Sequence, residues 1–193
     1  MDPATSDQAA VVDGALPENA AARAARSLFR SIFDANAGYV AASLGRLGIA
    51  PGDRDDLVSE IFVRVHRELG TYDPDRPLRP WLFAFAARVA SEHRRLARHR
   101  REVLGEVADV PSTAPAPDRM LEHDDAKRLV NQGLEALDLE KRAVFVLHDL
   151  DETPVPEIAR ALGIAEGTAY SRLRAARAEF TAAVRRAQLG SRS

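Results

Sequence analysis

Apolar residues recur every three or four positions along this chain, and this helical period constrains the fold more than any other feature. One stretch, residues 26–47, places six apolar side chains on a single helical face: Phe29, Ile32, Phe33, Val40, Leu44 and Leu47. No stretch of the sequence shows the sustained period-two alternation that predicts a half-buried strand. The pattern therefore predicts an all-α protein.

Glycine and proline residues mark where the helices should begin and end. Gly48 and Pro51 close the first helix, Gly70 closes the second, and Pro80 suits the first turn of the third. The sequence predicts seven helices, at Arg26–Leu47, Asp53–Leu69, Pro80–Arg101, Asp125–Leu137, Leu139–Asp149, Val155–Leu162 and Glu166–Gln188.

A net charge of −2 over 193 residues hides a strong segregation of charge. Residues 88–101 carry six arginines against Glu92, and residues 166–186 carry five arginines against two glutamates. Between these two basic segments, residues 102–125 hold seven acidic residues, one arginine and three prolines. Such a composition is typical of a linker rather than of a packed element.

This segregation predicts two small helical domains joined by a flexible acidic linker. Residues 1–24 should form a disordered acidic tail, since the first 22 residues hold four acids and no lysine or arginine. We expect the domains at residues 25–101 and 125–190, with the linker at 102–124.

Composition also excludes several classes of protein. The sequence contains no apolar run near the ~20 residues of a membrane-spanning helix, and no secretory signal is recognisable, so we expect a cytoplasmic protein without a membrane partner. With no cysteine, a disulfide scaffold, a thiolate zinc site and a thiol nucleophile are excluded. The five histidines are scattered and no glycine-rich phosphate loop is present, so we expect no cofactor, no metal and no enzymatic activity.

The segment 155–174 has the pattern of a helix-turn-helix. Ala159 is small where the two helices would cross, and Gly163 follows four residues later, where the turn requires a positive φ. On a helical wheel, Ala169, Leu173, Ala176 and Phe180 point inward, whereas the outer face carries small residues, hydroxyls and arginines. That outer face suits a DNA major groove, and the alternative is a helical hairpin with a solvated arginine face.

Two faces of the N-terminal domain are also candidates for binding. Val63 lies off the apolar stripe of the second helix, beside Asp56, Ser59 and Glu60, and is either a lone exposed valine or the centre of a partner-binding face. On the third helix, the wheel places five apolar residues toward the core: Trp81, Leu82, Phe85, Val89 and Leu96.

The same wheel places Phe83 on the opposite side of the third helix, near Arg94, Arg98 and Arg101. An exposed ring beside arginines suits single-stranded nucleic acid, because bases stack on the ring and phosphates pair with the cations. The alternative is a solvated basic helix with one stray phenylalanine.

Taken in order, these motifs resemble a known family. They are Asp56-Leu-Val-Ser-Glu-Ile-Phe-Val-Arg, Pro80-Trp-Leu-Phe, an arginine cluster, an acidic linker, Glu157-Ile-Ala and Gly167-Thr-Ala-Tyr-Ser-Arg-Leu. Over residues 25–186, the chain resembles the extracytoplasmic-function (ECF) group of the sigma-70 family of bacterial transcription initiation factors.

The resemblance implies three binding sites. The region-two domain would bind the β′ clamp helices of core RNA polymerase through Asp56, Ser59, Glu60 and Val63. It would bind and open the minus-ten promoter element through residues of the loop 71–79 and of the third helix: Arg79, Trp81, Phe83, Arg88, Arg94, Arg95 and Arg98. The region-four domain would touch the β flap and read the minus-thirty-five element through Thr168, Tyr170, Ser171, Arg172, Arg174 and Arg177.

The resemblance further implies an anti-sigma factor as a partner and a linker that threads the polymerase. The sequence departs from the family at Ser59, where glutamine is usual, and at Arg88 and Glu92, where many members carry amides that hold a flipped base. Tyr170 and Ala175 replace common basic residues, which predicts fewer phosphate contacts. The alternative function is a stand-alone helix-turn-helix regulator that binds duplex DNA without polymerase.

Overall fold

The computed structural model describes residues 20–104 and 121–190, and within them every regular element is helical. The helices are α1 (Ala20–Arg46), α2 (Pro51–Glu68), α3 (Leu78–Leu104), α4 (Leu121–Glu135), α5 (Leu139–Phe145), α6 (Val155–Leu162) and α7 (Glu166–Gly190). A short 3₁₀ turn at Leu69–Thr71 follows α2, and a π-helical turn at Val146–Leu150 follows α5. The predicted all-α class is confirmed.

Helix ends follow the local chemistry of the sequence. Gly48 (φ +84°) reverses the chain after α1, and Gly163 (φ +66°) closes α6 in the left-handed region, as the helix-turn-helix pattern predicted. The Asp138 carboxylate caps α5 by accepting a 2.8 Å hydrogen bond from the Lys141 backbone N–H. Pro51 and Pro156 lie in the first turns of their helices, where a missing N–H costs nothing.

The predicted boundaries need three corrections. Helix α1 begins at Ala20, so residues 20–24 are helical and not part of a tail. Helices α3 and α4 extend to Leu104 and from Leu121, so both ends of the predicted linker are helical as well. The rest of the predicted tail (1–19) and linker (105–120) lies outside the described residues. The fifth helix, predicted to run to Asp149, changes to π geometry at Val146, whose carbonyl oxygen accepts from the Asp151 backbone N–H five residues on, at 3.0 Å.

In the N-terminal half, α1, α2 and α3 all contact one another around an aliphatic and aromatic core. Leu44, Ile61, Val65, Leu82 and Phe85 are at most 1% exposed there. These positions recur at helical spacing on each element, which explains why their sequence pattern predicted the helices correctly.

In the C-terminal half, α7 packs against α4, α5 and α6. The Phe145 and Phe180 rings stack with centroids 4.6 Å apart, and Gly133 of α4 faces the Phe180 ring so closely that a side chain at this position would collide with it. The inward face predicted for α7 is confirmed, since Ala169, Leu173 and Ala176 are buried and Phe180 is partly buried.

The two halves contact each other. Helix α3 packs against α5 and α6, and the buried residues of both halves form one continuous cluster. Helix α3 therefore has neighbours on two sides, namely α1 and α2 on one and the C-terminal half on the other.

Candidate functional site

The outer face of α2 is exposed along its length, as the helical wheel indicated. Asp56, Ser59 and Glu60 are exposed, and the Val63 side chain is 51% exposed. The residues of the apolar stripe on the other side of α2 are buried: Leu57, Val58, Ile61, Phe62 and Val65. An apolar side chain with an acidic rim can bury its methyl groups against a partner while the carboxylates meet cations. The face thus has the composition of a protein-binding surface.

Arg64 connects this face to α3. Its guanidinium donates to Glu60 Oε1 at 2.5 Å and to both Glu92 carboxylate oxygens, at 3.1 and 2.7 Å. The hydrogen bonds from Arg64 lower the pKa of Glu92, so that side chain is an ion-paired carboxylate. The negative charge that Glu92 would present to DNA is therefore balanced by Arg64, a neighbour that the sequence analysis missed because it lies 28 positions away.

Phe83 does not lie on the exposed side of α3. Its side chain is 0% exposed, in a stretch of α3 where residues 82–86 are all buried. The prediction that Phe83 offers a ring for base stacking is therefore wrong. Leu96, predicted to face the core, is 58% exposed, which is also a correction. Both errors come from the same assumption, that α3 has a single buried stripe over its whole length.

An aromatic group at the start of α3 is more accessible. The half-buried Trp81 ring contacts Tyr72 and Phe85, with centroids 5.0 and 4.9 Å apart. The Arg88 guanidinium lies over the Phe85 ring, 4.5 Å from its centroid. Tyr72 was missed in the sequence because it falls in a loop without periodicity, although aromatic residues in a loop next to a basic helix are a usable signal.

The predicted minus-ten arginines fall into two groups. Arg79, Arg88, Arg95 and Arg98 are exposed, and the Arg79 guanidinium lies 5.2 Å from the centroid of the Tyr39 ring. Arg94 is only half-exposed and donates to the Leu47 carbonyl oxygen at 2.7 Å. Burial lowers the pKa of Arg94, so this guanidinium is held within the fold rather than presented to solvent.

The first turns of α7 present the predicted DNA-reading residues outward. Thr168, Tyr170, Ser171 and Arg174 are exposed, and the Tyr170 ring is 56% exposed. Within the described part of the chain, Arg174 forms no ion pair. Its guanidinium can therefore donate to a phosphate or a guanine edge without first breaking a bond.

Two other arginines of α7 are held by carboxylates. Arg172 pairs with Glu140 of α5, and Arg177 Nε donates to Asp149 Oδ2 of the π turn at 2.9 Å. The Arg177 hydrogen bond lowers the pKa of Asp149, so the pair is fully ionised at neutral pH. The sequence pattern predicted both arginines as DNA-binding residues but neither of their carboxylate partners.

Three comparisons with known proteins agree with this geometry. Residues 32–101 match the family model described as Sigma-70 region 2, and residues 127–180 match the model described as Sigma-70, region 4. RNA polymerase sigma factor NccH of Alcaligenes xylosoxydans xylosoxydans is 28% identical over 186 residues, covering 93% of this chain and 100% of that protein. ECF RNA polymerase sigma factor SigL of Mycobacterium tuberculosis is 33% identical over 155 residues, covering 79% and 86% of the two chains.

The fold is also that of a solved relative. The structure of CnrH in complex with the cytosolic domain of CnrY matches with a TM-score of 0.58 and 27% identity, over 84% of this chain and 92% of that one. The class that the fold and the surfaces define is a two-part helical transcription factor, and the chain belongs to the ECF group of the sigma-70 family. It is a transcription initiation factor, and members of this class are not catalysts themselves.

The family assignment decides between the alternatives left open by the sequence. A stand-alone helix-turn-helix regulator accounts for α6 and α7 but not for the Sigma-70 region 2 match over residues 32–101. Among the helices that the structure describes, none is long and apolar enough to cross a membrane.

Proposed function

We propose that the exposed face of α2, formed by Asp56, Ser59, Glu60 and Val63, binds the β′ clamp helices of core RNA polymerase. An exposed valine among carboxylates on an otherwise well-packed helix supports this role. The rim of the face is partly neutralised by Arg64, which leaves Asp56 as the outer charge available for a basic partner.

The loop 71–79 and the start of α3 are proposed to capture the minus-ten element. Arg79, Arg88, Arg95 and Arg98 supply exposed cations for the DNA backbone. In place of Phe83, the aromatic group of Trp81 and Tyr72 is the proposed stacking surface for an unpaired base, because its rings reach solvent beside these arginines.

The outer face of α7 is proposed to read the minus-thirty-five element. Four of its residues are exposed and can contact DNA directly: Thr168, Tyr170, Ser171 and Arg174. Arg172 and Arg177 would contact DNA only after their ion pairs with Glu140 and Asp149 break. The β flap is the proposed polymerase contact of the same half. The observation that carries the proposal is the presence, on one chain, of an exposed helix-turn-helix face and a separate apolar and acidic face on α2.

We further propose that the protein catalyses no reaction and needs no cofactor. Its proposed location is the cytoplasm, where polymerase and DNA are found. An anti-sigma factor is the proposed regulator, supported by the similar structure of CnrH, which was solved bound to the cytosolic domain of CnrY.

Run-off transcription with core polymerase tests this function. Added to core enzyme on genomic fragments, the protein should produce discrete new transcripts. Val63→Asp should weaken association with core polymerase about tenfold or more, because it places a charge at the centre of the proposed interface. Leu28→Asp is the matched control, since Leu28 is about equally exposed (53%) but belongs to α1 and not to the face formed by the four α2 residues. Equal losses for both variants would contradict the assignment of the α2 face.

A further inference from the structure

We propose that the turn after α1 carries a binding site for a small phosphate-like oxyanion, held between the guanidinium groups of Arg94 and Arg142 beside Gly48. The site goes beyond the proposed function, because its occupation needs neither polymerase nor promoter DNA. The spacing, charge and burial of the two arginine side chains define the class of ligand.

Two guanidinium groups converge on Gly48 from different helices. A side chain at position 48 would collide with Nη2 of Arg94 on α3 and with Nη1 of Arg142 on α5. Because both nitrogens flank this one point, they are less than about 5 Å apart, so one oxyanion oxygen can accept from both at about 2.8 Å. Gly48 is exposed and has φ +84°, so the turn where the two groups meet opens to solvent.

No carboxylate neutralises these two groups directly. Among the residues that the structure describes, neither Arg94 nor Arg142 forms an ion pair. Arg94 donates to the Leu47 carbonyl oxygen at 2.7 Å, and Arg142 Nη2 donates to the Leu137 carbonyl oxygen at 3.1 Å. Carbonyl oxygens carry only partial negative charges, so a net positive charge remains at this turn.

Burial makes the positive charge of Arg142 costly. The residue is only 4% exposed, and its Nε has no hydrogen-bond partner within the described part of the chain. Burial and the charge of Arg94 lower the pKa of Arg142 to about 10, so the group is still charged at neutral pH. Glu135 and Asp138 offset this only through space, and Asp138 is already paired with Lys141 at 3.0 Å. A bound anion would supply the missing counter-charge.

The donors select an oxyanion rather than a halide ion. A guanidinium presents a planar fork of N–H groups that matches the oxygen spacing of phosphate, and two such groups suit an ion with two negative charges. Because Arg142 is almost fully buried, the pair suits a free ion or a terminal phosphate group and not the backbone of a DNA duplex.

Isothermal titration calorimetry of the full chain with inorganic phosphate, at constant ionic strength, tests the site. The wild-type protein should bind one phosphate ion saturably. Arg94→Gln should weaken binding about tenfold or more, because it removes one of the two charged donors. Arg95→Gln is the matched control, since it removes an exposed arginine one residue further along α3 and should keep the wild-type affinity.

Arg142→Met tests the buried partner through thermal unfolding. Phosphate should raise the Tm of the wild-type chain above its value in chloride of the same ionic strength, because a ligand that binds only the folded state stabilises it. The rise should saturate with phosphate concentration, and it should be lost in Arg142→Met and retained in Arg95→Gln. Circular dichroism verifies that each variant is folded.

Adenosine 5′-monophosphate distinguishes the two sources of the ligand. Tighter binding of the nucleotide than of inorganic phosphate, with the same dependence on Arg94, assigns the site to terminal phosphate groups, and the reverse order assigns it to the free ion. A wild-type chain that binds neither compound, or an Arg94→Gln chain that binds phosphate as tightly as wild type, overturns the site. The run-off assay decides neither outcome, so the site and the proposed promoter function can fail separately.

Discussion

At the scale of the residue, Phe83 shows how one side chain changes the functional interpretation of a helix. Because its ring is fully buried, Phe83→Ala should leave a cavity and lower the free energy of unfolding by about 3–5 kcal/mol. Denaturant unfolding measures this loss. Promoter binding and strand opening should then fall together, because folded protein is lost rather than a stacking contact.

Leu96→Ala is the control for that substitution. It also removes an apolar side chain from α3, but one that is mostly exposed, so the free energy of unfolding should change by less than about 0.5 kcal/mol. A Phe83→Ala variant with wild-type stability and a selective defect in strand opening would restore the stacking role and contradict the buried position.

At the scale of the element, ion pairs leave only some of the arginines of α7 free to contact DNA. Asp149→Asn should weaken the ion pair with Arg177 and leave this guanidinium free for a phosphate. Affinity for minus-thirty-five DNA should then rise, and the slope of log affinity against log salt should steepen by about 0.9, the value for one added phosphate contact. A salt titration of DNA binding measures both effects.

Asp73→Asn provides the comparison for Asp149→Asn, because it breaks the Asp73–Arg76 ion pair, which lies in the other half and far along the chain from α7. It should leave the minus-thirty-five salt slope unchanged. If Asp149→Asn leaves the slope unchanged as well, Arg177 is not a phosphate contact and the assignment of the α7 face must exclude it.

Helices with one buried stripe and one polar side were predictable from the sequence, whereas the single buried stripe predicted for α3 was only partly right. The apolar stripes of α2 and α7 have a clear polar side, so a wheel assigned Val63 and Ala169 correctly to outside and inside. Helix α3 is covered on both sides near its start and is bare near Leu96, so a single wheel misplaces both Phe83 and Leu96.

The carboxylate partners of the arginines could not be predicted from the helical periodicity of the sequence. Arg64 and Glu92 are 28 positions apart, and Arg46 and Asp151 are 105 positions apart. Such partners are set by how the helices pack and by the π turn after α5. Charge segregation did predict two basic regions, but which arginines are free depends on these contacts.

At the scale of the whole molecule, two modest DNA-binding units on one chain gain affinity only when something fixes their separation. In the free chain nothing holds the two packed halves at the spacing of the two elements, so the free chain should bind promoter DNA weakly. Once polymerase holds the halves at the spacing of the two elements, the second contact becomes intramolecular, which can raise affinity about a hundredfold or more.

The distance between the two promoter elements should therefore matter only to the polymerase-bound chain. Inserting five base pairs between the minus-ten and minus-thirty-five elements moves one element by about 17 Å and rotates it by about half a turn of the duplex. The polymerase-bound chain should then lose most of its affinity and its run-off transcript, whereas the weak binding of the free chain should barely change. Gel-shift titrations with and without core enzyme measure both. An insertion of the same length upstream of the minus-thirty-five element is the control. If the internal insertion weakens binding of the free chain as much as binding of the polymerase-bound chain, the separation of the halves is fixed within the chain itself and not by polymerase.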